Sequence, residues 1–73
     1  MSILQRLYDS GINASVETFW DDGFRVRLGE PLIGWLAENK VMTWKEAERW
    51  LDEQARIHFP DSDYARSGRP GFW

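Results

Sequence analysis

The stretch INASVETFWDDGFRVRL, residues 12–28, decides the fold. Ile12, Ala14, Val16, Thr18 and Trp20 alternate with Asn13, Ser15, Glu17 and Phe19. Beyond Asp21, Asp22 and Gly23, a second alternation sets Phe24, Val26 and Leu28 against Arg25 and Arg27. A period of two marks a strand with one buried face, so the stretch predicts an antiparallel hairpin. Register follows from the same pattern, because a one-residue slip carries a whole strand to its other face. A three-residue loop over Asp21, Asp22 and Gly23 pairs Trp20 with Phe24, Thr18 with Val26 and Val16 with Leu28, which brings the apolar sets together. A two-residue loop would set Val26 against Phe19. Gly23 suits the left-handed position that closes the longer loop.

Outward from the hairpin, Gly29, Glu30, Pro31 and Leu32 punctuate the chain, and Pro31 cannot donate to a ladder. A third strand returning with Leu28 opposite Ile33 places Val26 against Trp35 and Phe24 against Ala37, again on the buried face. Leu32 to Ala37 also fits a helix that opens on Pro31, and periodicity over so short an apolar run does not decide between the two. Next, Thr43, Trp44, Lys45, Glu46 forms a capping box with Met42 and Ala47 in staple positions, which predicts a helix running to Phe59 before Pro60. At 100° per residue Trp44, Ala47, Trp50, Leu51, Ala55, Ile57, His58 and Phe59 share an apolar arc. Lys45, Glu46, Arg49, Asp52, Glu53 and Arg56 fill the polar one. At the other end of the chain Ile3, Leu4, Leu7 and Tyr8 make one face of a short helix that stops before Gly11.

The expected class is therefore α+β, a two-layer sandwich in the order α-β-β-β-α, with a three-stranded antiparallel meander and both helices on one of its faces. Residues 1–60 make the single domain, and 61–73 read as a mobile C-terminal tail with an aromatic tip at Phe72 and Trp73. The order of elements, with a last helix opening at Thr43, Trp44, Lys45, Glu46, Ala47 and Glu48, resembles the double-stranded RNA-binding domain over about residues 2 to 59. That family contacts RNA in part through lysines at the start of its last helix. Here Lys45 stands among Glu46, Glu48 and Asp52, and the first helix is short for the family. The resemblance implies the fold more than the activity, since one architecture hosts many functions.

Composition narrows the chemistry. The chain of 73 residues is 42% hydrophobic and 29% charged, with five Trp, four Phe and two Tyr, which is a folding composition. So short a domain buries only about 60% of its unfolded surface, so large side chains must carry its hydrophobic term. No cysteine is present, which removes disulfides, thiolate nucleophiles and cysteine metal sites and makes a reducing cytosol the expected setting. The longest apolar run, Leu32 to Ala37, is far short of the roughly 20 residues of a membrane span, and no charged start followed by an apolar stretch marks a signal. A net charge of −3 works against nucleic-acid affinity, so nucleic acid is not an expected partner.

No catalytic residue, cofactor, metal or small-molecule substrate is expected. His58 lies on the apolar arc near the helix end, where the carbonyls of the last turn can hold a partly buried imidazole. Joined with Asp61 and Asp63 it would give three metal-ligand types, but their spacing matches no helical ligand pair. The carboxylate pairs Asp21 with Asp22, Glu48 with Asp52 and Asp52 with Glu53 fall in a turn or on the polar arc, where solvated surface is the ordinary outcome and general acid work, which needs one desolvated member, is not expected. The open sheet face carries the candidate site. The registers above set Glu17 opposite Arg27, and Phe19 opposite Arg25 and Leu36 with Leu32 nearby. An apolar strip flanked by guanidinium groups has the composition of a binding surface. The expectation is a noncatalytic cytosolic interaction module that contacts a protein partner, or a second copy as a homodimer, through Phe19, Arg25, Arg27 and Leu36. The alternative is a nucleic-acid-binding or regulatory domain using Arg25, Arg27 and Lys45. A second surface is the flank carrying Trp50 and Ile57, for which Tyr64, Phe72 and Trp73 are candidate covers.

Overall fold

A computed structural model of the chain describes residues 3–30 and 32–66. They form α1 (Ile3–Asp9), the strands β1 (Asn13–Phe19), β2 (Gly23–Glu30) and β3 (Gly34–Val41), α2 (Trp44–His58) and the single turn α3 (Asp63–Arg66). The strands make one antiparallel sheet in the order β1-β2-β3. Ile3 and Leu7 of α1 and Ala47, Leu51 and Ala55 of α2 close over Val26, Leu28 and Val41 to form the buried core. The fold is α+β, with the second sheet face left open.

Parity survives in the first hairpin, but register does not. Phe19 pairs with Gly23, so Thr18 faces Phe24, Val16 faces Val26 and Ala14 faces Leu28, two residues away from the expected pairing. An even slip keeps the apolar sets together, and Ala14, Val16, Phe24, Val26 and Leu28 all join the core or pack against it. The cause is Gly23. Its φ is 82°, and a Cβ there would lie 2.3 Å from the Val41 carbonyl oxygen, so the glycine belongs to the sheet as the point where β3 comes close. Trp20 consequently leaves the strand and lies in the turn closed by the Asp22 N–H on the Phe19 carbonyl.

The third strand differs more. Leu28 pairs with Ala37 instead of Ile33, and a bulge falls between Leu28 and Gly29, so that Gly29 pairs with Trp35. The Glu30 carboxylate accepts the N–H groups of Leu32 (2.6 Å) and Ile33 (2.7 Å), which fixes both residues in the connecting turn. Leu32 to Ala37 is therefore turn and then strand, with no helix. The extra residue of a bulge reverses the alternation beyond it. Trp35, expected inside with Val26, thus shares the open face with Arg27, whose guanidinium carbon lies 5.8 Å from the indole centroid.

α2 begins at the Thr43 cap, whose hydroxyl oxygen accepts the Glu46 N–H at 3.1 Å and donates to the Glu46 carboxylate at 3.0 Å. Its buried residues are Ala47, Leu51, Asp52 and Ala55. Asp52, placed on the polar arc by phase, is fully buried, whereas Ile57 and His58, placed on the apolar arc, are exposed. The difference comes from α3. The Tyr64 hydroxyl donates to Asp52 Oδ1 at 2.7 Å, and Arg56 Nε donates to the same oxygen at 3.0 Å. Arg56 Nη1 also donates to the Ala65 carbonyl at 2.9 Å. Tyr64 is buried, so residues 61–66 belong to the domain and not to a mobile tail. Phe72 and Trp73 lie outside the described residues.

Candidate interaction surface

The open face is built by the residues that pair away from the core: Ser15, Glu17 and Phe19 of β1, Arg25 and Arg27 of β2, and Glu38 and Lys40 of β3. Its middle is a charge network. Arg27 Nη2 donates to Glu17 Oε1 at 2.8 Å, and Glu38 lies 3.7 Å from Arg27 Nε and 3.8 Å from Arg25 Nε. Lys40 Nζ meets the Asp22 carboxylate at 2.5 Å. The expected ion pair of Glu17 with Arg27 is thus present, reached diagonally, because the register sets Glu17 directly opposite Arg25. Exposed pairs of this kind each contribute about 0–1 kcal/mol. They hold side chains in place more than they stabilise the fold.

Apolar groups gather at the two ends of this network. At the β1–β2 turn Phe19 lies under the Arg25 guanidinium (5.9 Å), next to Trp20, Phe24 and Met42 around a cleft of about 400 Å³. At the opposite end Trp35 joins Leu4, Tyr8 and Ile12 around a second cleft of about 410 Å³, with the exposed turn residues Leu32 and Ile33 beyond. Phe19 pairs with Gly23 and Leu36 sits at the bulge beyond Leu28, so the two are five to six strand positions apart, roughly 15–20 Å at ~3.3 Å per residue. The structure therefore brings Phe19 to Arg25 and Leu36 to the Leu32 end, and does not bring Phe19 to Leu36. Trp35 is the residue that sequence reasoning missed here. Its signal lay in Glu30, an acceptor two and three residues ahead of free turn amides, which moves the turn and the strand start.

The other candidate groups have plainer surroundings. The His58 ring nitrogen Nε2 contacts Gln54 Oε1 at 3.2 Å on the exposed side of α2, not the carbonyls of a buried last turn. Among the described residues no three His, Asp or Glu side chains are placed to hold a metal ion. Asp52 is committed to Tyr64 and Arg56 and lines neither cleft. Burial, and then the adjoining Asp52 carboxylate, push the Tyr64 phenol far above its ordinary range, and partial burial raises the Glu48 carboxyl. Tyr64 covers Asp52 and leaves Ile57 66% exposed, so it is not the cover expected for that flank. No described helix is long and apolar enough to cross a membrane. What these elements define is an α+β domain with one open sheet face. No family model, curated protein or solved structure matches the chain.

Proposed function

We propose that the chain is a noncatalytic, cytosolic interaction module that engages a protein partner through its open sheet face. One observation carries this reading: large aromatic side chains stand exposed at both ends of the open sheet face. Of the four tryptophans among the described residues none is buried, with Trp20 98% and Trp35 48% exposed, while Ile, Leu, Val, Ala and Tyr64 close the interior. A domain this small has little apolar surface to spare. Exposed Trp beside Arg is the usual composition of an interface hot spot; Arg27 over Trp35 is such a pair, and Arg25 over Phe19 adds a second exposed ring beside a guanidinium. The cytosolic setting rests on the lack of cysteine.

The charge network favours protein over nucleic acid as the partner, because Arg25, Arg27 and Lys40 each lie beside a carboxylate and offer few free cations to phosphates. The test is retention of proteins from a native lysate of the source cell on the immobilised chain. Phe19→Ser and Trp35→Ser should each release a saturable partner while leaving thermal unfolding within a few degrees of the parent. Salt-sensitive retention of the parent on RNA, with no protein partner released by either change, would replace this reading with the nucleic-acid one.

A further inference from the structure

We infer that β3 pairs edge to edge with β3 of a second copy, making a six-stranded sheet about a twofold axis at Asn39. This pairing adds an interface at the sheet edge to the one proposed on the open face and does not depend on it. β3 is an edge strand, and its residues are barer than those of the other edge: six of its eight are exposed, against three of seven in β1. An edge presents a row of backbone donors and acceptors ready for another strand. The helix layer stops short of it. Asn39 is on the core side by its pairing with Val26, yet it is exposed.

The sequence of β3 selects both the occupant and the register. A twofold axis normal to the sheet must run through a residue if open-face side chains are to meet open-face side chains, since any other choice inverts one copy's alternation. An axis at Glu38 sets that carboxylate against its own copy, and an axis at Lys40 does the same for the ammonium. An axis at Asn39 sets Glu38 opposite the second copy's Lys40, Leu36 opposite its Met42 and Ala37 opposite its Val41, each twice. Leu36 and Met42 are exposed apolar groups in the single chain, and the Glu38 and Lys40 side chains are about half exposed. Opposite charges facing across strands stabilise the pairing, and like charges oppose it.

The helix layer fits the same axis. Asp52 and Arg56 turn one flank of α2 toward Tyr64, which lies under Arg6 of α1, the helix that packs beside β1. At 100° per residue Trp50 and Ile57 lie on the opposite flank, toward β3. Edge pairing draws the two α2 helices together over the junction and covers that flank.

Sedimentation equilibrium from micromolar to millimolar chain tests the proposal. The average mass should rise from 8.6 kDa toward twice that value, and the alternate amides of residues 36–41 that point away from β2 should gain hydrogen-exchange protection with concentration. Lys40→Glu and Glu38→Lys should each weaken self-association about tenfold, and mixing the two variants should restore it, because carboxylate then meets ammonium at both positions while each chain carries only the intrachain change it has alone. A mass of 8.6 kDa at every concentration overturns the pairing, and so does association that mixing the two variants fails to restore. If the chain is monomeric and Trp35→Ser still releases a captured protein, the pairing alone falls. If it is monomeric and neither Phe19→Ser nor Trp35→Ser releases anything, both readings fall.

Discussion

Asp52 and Tyr64 show how a residue's neighbours, more than its place in a pattern, decide its state. Phase analysis of α2 puts Asp52 with Glu53 and Arg56 on a solvated arc, and nothing within the helix says otherwise. The burial comes from a residue twelve positions on, whose hydroxyl donates to Asp52 Oδ1. No local pattern reports a contact of that separation, which is why Tyr64 read as tail. Tyr64→Phe deletes a hydrogen bond to a charged group and should cost about 1.5–3 kcal/mol in urea unfolding at neutral pH. The same substitution changes the alkaline limb. The phenol is held above its ordinary value of 10.0 in the folded chain, so above about pH 10 the unfolded state gives up a proton that the folded state keeps. Stability from this group is complete below pH 10 and declines above it. The Phe variant should lack that share of the decline.

At the scale of elements, alternation was legible and its endpoints were not. The parity of residues 12–28 placed Ala14, Val16, Val26 and Leu28 inside, and an even slip cannot undo such a placement. Where a strand starts is set by turn geometry, through the carboxylate of Glu30 and the closeness of β3 to Gly23, and these contacts form only once the strands have met. Gly29 marks the bulge in the same way. A Cβ on it would lie 2.2 Å from the Gly34 carbonyl oxygen, so Gly29→Ala must push β3 away or straighten the bulge. Overpacking of this kind costs about 1–3 kcal/mol, and Trp35 fluorescence should shift as its seat over Arg27 moves. The α2 start, by contrast, was legible to the residue because its cap is local. Thr43→Ala should lose about 1 kcal/mol by thermal or urea unfolding with the sheet register unchanged.

Packing at the scale of the whole molecule continues past the end of α2, because Tyr64 is buried. A chain of this length is stabilised by about 4–11 kcal/mol in total, at ~0.05–0.15 kcal/mol per residue, so one latch is a large fraction of the fold's margin. Cutting after Pro60 removes Tyr64 and the Ala65 carbonyl that holds Arg56, and leaves Asp52 facing the space the phenol filled. Losing a buried aromatic side chain costs about 3–5 kcal/mol, although water entering from the open side reduces that here. For a domain of this size each kcal/mol moves the melting temperature by about 4–8 °C, so a loss near 3 kcal/mol lowers it by about 12–24 °C. A chain cut after Arg66 keeps every one of these contacts and should melt at least about 12 °C above the one cut after Pro60, the lower end of that range. Calorimetry on the two truncations reads the difference directly. Equal melting temperatures would mean that Asp52 finds water as readily as it finds Tyr64, and that the domain closes at the end of α2 after all.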